Sequence, residues 1–184
     1  MINDIYGVPV VYVPDYCDYD VDKLWDELPF DRRESTPRTE CWMNDYGDPY
    51  TYGVGRGERT YIPDAWNVVV DGIRNCLNED YNASFDCCFC NGYLDANDQL
   101  GWHADDSPEM DMDHPIVSIS FGAERDIWFR KTGVKGMATK GVTMGDGSMT
   151  MMNAAMQATW EHRIPKHSAP CGKRVSLTYR KLVK

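Results

Sequence analysis

Arg174-Val175-Ser176-Leu177-Thr178-Tyr179-Arg180 alternates from end to end. In an extended chain Arg174, Ser176, Thr178 and Arg180 share one face, and Val175, Leu177 and Tyr179 share the other. That period of two reads as a strand with one polar, cationic side and one apolar side. A strand lying on a protein surface carries the same alternation, so the meaning of the two arginines depends on what surrounds the segment.

Working back from this strand, similar short runs occupy 85–94, 115–121, 126–131, 141–143, 148–152 and 160–164, and the last run extends over 173–182. Turn-forming residues separate them: Asp95–Asp98, Gly133, Gly136, Gly145-Asp146-Gly147 and Pro170–Gly172. Before Ser84 the pattern differs. Residues 5–13 read as an opening strand interrupted by Pro9 and stopped by Pro14. Asp20 is placed to cap a short helix with Val21, Leu24, Trp25 and Leu28 on its apolar face. Asp64 is placed to cap a second, with Trp66, Val69, Ile73, Cys76 and Leu77 at helical spacing. Residues 31–60 are polar and rich in Gly and Tyr, and read as a loop or hairpin. Two helices followed by about seven strands predict an α+β fold. Its core over 84–182 is an antiparallel double-sheet jelly roll (a double-stranded β-helix), with the N-terminal helices packed on one sheet.

The chain has 184 residues and a net charge of −10, with a pI near 4.7. The length suits a single domain over 1–184 with a full core. The acidic balance argues against strong unaided binding to phosphates. Seven Cys is an odd count with no apolar leader, which suggests reduced thiols in a cytoplasm. No apolar run approaches ~18 residues, so no contact with a membrane is expected.

Trp102-His103-Ala104-Asp105-Asp106 supplies an imidazole and a carboxylate two residues apart, and His162 supplies a second imidazole from a later strand. Two histidines and one carboxylate on one face of an octahedral ion leave positions open, the ligand set of a non-haem iron(II) oxygenase. Zn(II) is accommodated by the same donors. Arg174 and Arg180 are separated by roughly 20 Å of strand, a span that a five-carbon dicarboxylate with an Arg at each end would bridge. Upstream, Asn91 and Tyr93 share the face of Phe85, Cys87 and Phe89 and present two polar tips.

These residues, together with Pro115-Ile-Val-Ser-Ile-Ser-Phe-Gly122 and Asp146-Gly-Ser-Met-Thr-Met-Met152, resemble the AlkB-type Fe(II)/2-oxoglutarate dioxygenases that repair alkylated nucleic acid. The resemblance runs from about Asn91 to Leu182, and Ile116–Arg130 is especially similar to the branch acting on duplex DNA. It implies His103, Asp105 and His162 as iron ligands. It implies Asn91, Tyr93, Arg174, Ser176, Thr178 and Arg180 as contacts of 2-oxoglutarate, with Arg180 also near Asp105. Pro37-Arg38, Tyr46-Gly-Asp48 and Tyr50-x-Tyr52 are similar to that branch's nucleotide-recognition lid, which makes 31–60 the expected lid. Tyr50, Tyr52, Arg56, Trp102 and Asp106 are then expected to meet substrate. Ser176 stands where many members carry Asn, and Ser107 where an acidic residue is frequent.

The implied activity is oxidative demethylation of 1-methyladenine- or 3-methylcytosine-type bases in DNA or RNA, single-stranded or flipped, with Fe(II), 2-oxoglutarate and O2. The same chemistry on a protein side chain or a free nucleoside is the alternative, favoured by the acidic charge and Ser107. A monomer is expected, in the cytoplasm of a bacterium or virus-infected cell, or in the nucleus of a eukaryote. Cys87-Cys88-x-Cys90 reads as buried thiols, because adjacent strand residues face opposite ways. Met144–Met156 reads as soft packing. The basic residues concentrate late in the chain (Lys131, Lys135, Lys140, Arg163, Lys166, Lys173).

Overall fold

The computed structural model describes residues 2–5, 7–34, 36–53, 58–136 and 140–184. In chain order the elements are β1 (Ile2–Ile5), β2 (Val8–Val13), α1 (Val21–Glu27), β3 (Thr39–Asn44), β4 (Tyr50–Tyr52), β5 (Arg59–Tyr61) and α2 (Val68–Tyr81). They continue with β6 (Cys87–Tyr93), β7 (Leu100–His103), β8 (Ile116–Gly122), β9 (Arg125–Lys131), β10 (Lys140–Met144), β11 (Ser148–Met152), a 3-10 turn (Ala154–Ala158), β12 (Trp160–Ile164) and β13 (Arg174–Arg180).

Seven strands form one antiparallel sheet in the order β1-β2-β11-β8-β13-β6-β3, and four form a second in the order β10-β9-β12-β7. The hairpin β4-β5 stands apart from both. Mostly antiparallel sheets with few helices are consistent with a jelly-roll oxygenase fold.

The alternation of Arg174–Arg180 is explained by where the strand lies. β13 lies between β8 and β6 and is buried at every position. Val175, Leu177 and Tyr179 pack with Val117, Ile119 and Phe121 of β8, Cys88 and Cys90 of β6, and Leu24, Val70 and Leu77 from the two helices. Each fully buried Leu or Val there contributes about 1.5–3 kcal/mol. The opposite face of the strand lines a cavity between the sheets, together with Ile127, Met144, Met152 and Ile164. Apolar packing thus anchors one side and frees the other for polar groups.

Several local expectations need correction. The opening segment is a hairpin, turned at Gly7 (φ 76°), and not one strand over 5–13. Pro9 is tolerated in β2 because the β1–β2 register shifts opposite it, and the pairing with β11 begins only at Val10. The cap of α2 is Asn67, whose side chain accepts from Val69 N (2.8 Å) and Val70 N (3.2 Å). Asp64 instead donates its backbone N–H to the Trp42 carbonyl at 2.7 Å, which sets it in an isolated bridge beside Met43 of β3. Among the described residues of 31–60, Thr39–Asn44 is an integral strand paired along β6, and β4-β5 forms a separate hairpin. β7 was not anticipated, since its four residues include Gly101 and show no apolar run. Among the described residues no helix is long and apolar enough to cross a membrane.

Candidate active site

β7 and β12 pair so that His103 stands opposite His162, and their rings lie 4.2 Å apart. Further along, Leu100 stands opposite Ile164, so Gly101 and Trp102 together face Arg163 alone. This β-bulge re-aims the strand. Leu100 and His103 both line the cavity, although three residues apart on a regular strand would face opposite ways. Trp102 is turned outward, where Arg130 lies 4.3 Å and Arg163 5.5 Å from its ring.

Asp105 follows just beyond the end of β7. Its Oδ1 is 3.7 Å from His103 Nε2, and its Oδ2 is 3.7 Å from His162 Nε2. Ligand atoms of all three residues lie within 4.8 Å of one another, too far for mutual hydrogen bonds and close enough to share one cation. His103 Nδ1 lies 2.9 Å from the Gly101 carbonyl oxygen. A carbonyl can only accept, so Nδ1 carries the proton and Nε2 offers its lone pair to the shared point.

Electrostatics prepare the same arrangement. Burial lowers the His103 pKa, and burial with the neighbouring His103 ring lowers that of His162 to about 3, so both imidazoles are neutral. Burial alone would raise the Asp105 carboxyl, but the Arg180 guanidinium and the two histidines outweigh it and hold it at about 2. One carboxylate and two neutral imidazoles fit a borderline divalent ion such as Fe(II).

The two arginines of β13 reach this cavity differently. Arg180 donates from Nη2 to Asp105 Oδ1 at 2.7 Å. Among the described residues Arg174 has no carboxylate partner. Its Nη2 reaches Ser120 Oγ at 2.9 Å, and Ser176 Oγ and Met144 Sδ at 3.4 and 3.6 Å, while Nε and Nη1 have no partner. Burial pulls its pKa down to about 10, an unusual state for a guanidinium. Tyr93 presents its ring to Arg174 at 5.1 Å and to Arg125 at 5.3 Å. Arg180 also leaves Nε and Nη1 without a partner, so what sets Arg174 apart is that no carboxylate among the described residues faces it; a buried, uncompensated guanidinium is a receptor for an anion, and a carboxylate matches its fork.

Of the remaining expected co-substrate contacts, Asn91, Ser176 and Thr178 line the same cavity. Asn91 Oδ1 accepts from Arg38 Nε at 2.6 Å. Arg38 is also ion-paired to Glu40, which accepts from the Tyr61 hydroxyl at 2.6 Å. Thr178 Oγ1 is 3.2 Å from Ser118 Oγ.

The mouth is walled by Arg38, Tyr50, Tyr52, Phe89 and Leu100. Tyr52 stands edge-on to His103 with centroids 6.2 Å apart, and the Tyr50 hydroxyl meets Ser107 Oγ at 2.9 Å. Trp102 and Asp106, expected to meet substrate, are outside this wall: Trp102 packs on the outer face of the small sheet, and Asp106 is exposed. Arg56 lies outside the described residues.

Four residues were missed as part of the site. Arg38 was singled out only through the likeness of Pro37-Arg38 to the nucleotide-recognition lid. Ser120 sits two residues from Ser118 on β8, a signal available by asking what faces Arg174. Arg125, 1% exposed, lies against the Tyr93 ring and donates to the carbonyls of Asp95, Asp98 and Pro165, backbone partners that leave no mark in a sequence. Gln157 accepts the backbone N–H of Asp105. The cysteine reading holds in this geometry: Cys88 and Cys90 face the helices with sulfurs 3.8 Å apart, and all seven thiols are free.

Fold, donor set and anion receptor together are those of the iron(II)- and 2-oxoacid-dependent oxygenases as a class. In keeping with that class, the model of the 2OG-Fe(II) oxygenase superfamily matches residues 23–180, and the chain belongs to this superfamily. Within it the chain is similar to AlkB homologues. The human DNA oxidative demethylase ALKBH2 is 32% identical over 160 residues, covering 84% of this chain and 60% of that protein. The human alpha-ketoglutarate-dependent dioxygenase alkB homolog 3 is 30% identical over 184 residues, covering 89% and 61%. The chain therefore spans about three fifths of the length of these curated relatives. Among solved structures, OsALKBH1 shares the fold, with a TM-score of 0.66 at 17% identity over 95% of this chain and 98% of that one.

Proposed function

We propose that the chain oxidatively demethylates N-alkylated bases of the 1-methyladenine and 3-methylcytosine type in DNA or RNA. The observation that carries the oxygenase part is the unpaired, buried Arg174 in the same cavity as His103, Asp105 and His162. The nucleic-acid part is supported by the likeness to ALKBH2 and alkB homolog 3, whose names state DNA demethylation and 2-oxoacid dependence.

His103, Asp105 and His162 would hold Fe(II). Fe(II) with 2-oxoglutarate and O2 supplies the oxidising power that hydroxylates an N-methyl carbon, after which the carbinolamine loses formaldehyde. The remaining work belongs to the chain. Arg174, aimed by Ser120, holds the distal carboxylate of 2-oxoglutarate, and Ser176 lines the same end of the cavity. Asn91, oriented by Arg38, and Tyr93 flank its chain. Arg180 keeps Asp105 ionised and aligned. Tyr50, Tyr52 and Phe89 form an aromatic wall on which a planar base stacks. A base within a duplex is unreachable, so it enters flipped or from a single strand. Of the expected lid 31–60, β3 belongs to the large sheet, and the β4-β5 hairpin that carries Tyr50 and Tyr52 serves as the lid, with α1 and α2 as the supporting layer of one domain. We take the active form as a monomer.

Anaerobic reconstitution with Fe(II) and 2-oxoglutarate, then O2, tests the proposal on methylated DNA and RNA oligonucleotides by mass spectrometry. The expected result is loss of one methyl mass, abolished in His103→Ala. Succinate formed while oligonucleotides stay methylated would refute the base assignment. Peptide and free-nucleoside arms then read the alternative substrates directly.

A further inference from the structure

Asp105 is the one member of the metal set that no strand carries, since β7 ends at His103. Two polar contacts determine where it stands. Its carboxylate accepts from Arg180, and its backbone N–H donates to Gln157 Oε1 at 2.9 Å. Gln157 is only 1% exposed and sits in the 3-10 turn that joins β11 to β12, five residues before His162. Because Oε1 must accept from an N–H, the amide orientation is determined, and Nε2 faces Met152 Sδ at 3.8 Å on the cavity wall. A buried primary amide in an apolar corner is costly unless its polar atoms are engaged, so its presence calls for a reason.

We propose that Gln157 is a positioning residue for the metal site. It ties the loop carrying Asp105 to the turn that launches the strand carrying His162, and so sets the distance between the carboxylate and the second imidazole. Arg180 alone cannot do this. It grips the carboxylate end, around which the backbone of 104–106 is free to pivot. Partners of this kind behind metal ligands are typically worth about 10–100-fold in metal affinity. The inference rests on the oxygenase reading, and its test separates the two.

The full chain is titrated anaerobically with Mn(II), with free ion followed by electron paramagnetic resonance. The variants are Gln157→Leu, Gln157→Glu and Met156→Ala. Gln157→Leu keeps the volume and removes the acceptor, and is expected to weaken Mn(II) binding by about 10–100-fold. Gln157→Glu restores an acceptor for the Asp105 amide and is expected to recover most of that loss. Met156→Ala loosens the same buried turn without touching the hydrogen bond, and should bind within a few-fold of wild type. Wild-type affinity in Gln157→Leu would overturn the inference, as would an equal loss in Met156→Ala. A wild-type chain that takes up no Mn(II) would overturn the oxygenase reading itself, and this inference with it.

Discussion

Arg174 and Arg180 are the same residue, six positions apart on one strand, and both are buried in one cavity. Arg180 is matched by Asp105, and Arg174 is matched only by hydroxyls, a thioether and a ring. A buried charge with its partner in the chain is part of the scaffold of the site. A buried charge with none is held in place by the fold for something that binds. The two ends of the cavity therefore predict opposite responses to the same substitution.

Arg174→Met should have the largest effect on ligand binding. Removing a bidentate partner of a carboxylate is expected to weaken 2-oxoglutarate binding about a thousandfold, ~4 kcal/mol. The ligand-free chain, relieved of an uncompensated charge, should unfold at the same denaturant concentration as wild type or a higher one. Calorimetry and denaturant melts check the two halves. A ligand-free chain markedly weakened by Arg174→Met would break the comparison. Arg180→Met should do the reverse, costing the ligand-free chain about 3 kcal/mol because Asp105 is left buried without its cation.

Acid sharpens the difference. In the metal-free chain His103 and His162 are held neutral by burial, below their ordinary values, while the unfolded chain protonates them. Their contribution is then complete above about pH 6.5; that of His162 falls by up to ~1.4 kcal/mol per unit as pH drops toward about 3, and His103 adds to the fall in the same direction. Asp105, held at about 2, contributes stability that is lost only below about pH 4. Denaturant midpoints from pH 7.5 to 4.5 should show this slope in wild type and in Arg174→Met alike. His162→Leu should flatten it, and parallel curves for His162→Leu and wild type would contradict the account.

The alternation of β13 made the cationic face legible in the sequence, and the pair His103-x-Asp105 with His162 made the metal set legible. What the alternation could not reveal was depth. A half-exposed strand and one buried on both sides carry the same pattern when the second side lines a cavity. The bulge at Gly101-Trp102 was equally hidden, because it depends on the register against β12. That single irregularity moved Trp102 from the expected substrate wall to an outer stack with Arg130 and Arg163. Arg125 and Gln157 were invisible for a related reason: their partners are backbone groups, which every residue possesses. Arg38 stood in a stretch read as a loop, and only the pairing of the adjoining β3 along β6 brings its guanidinium to Asn91.

The smallest predicted effects concern the hydroxyls around Arg174 and ask how fully the ligand must do what the chain leaves undone. Ser120 Oγ is 2.9 Å from Nη2 and Ser176 Oγ is 3.4 Å away, at the limit of a hydrogen bond. Ser120→Ala should weaken 2-oxoglutarate binding by about fivefold, ~1 kcal/mol, because the guanidinium loses the contact that aims it. Ser176→Ala should change it by less than about twofold, since a bond that long contributes little. Ser176→Asn, which extends an amide toward the same end of the cavity, should tighten binding if there is room beside Arg174. Isothermal titration with the three variants ranks them. An effect of Ser176→Ala exceeding that of Ser120→Ala would mean that Ser176 contacts the ligand itself, and that the free donors of Arg174 are not the principal receptor.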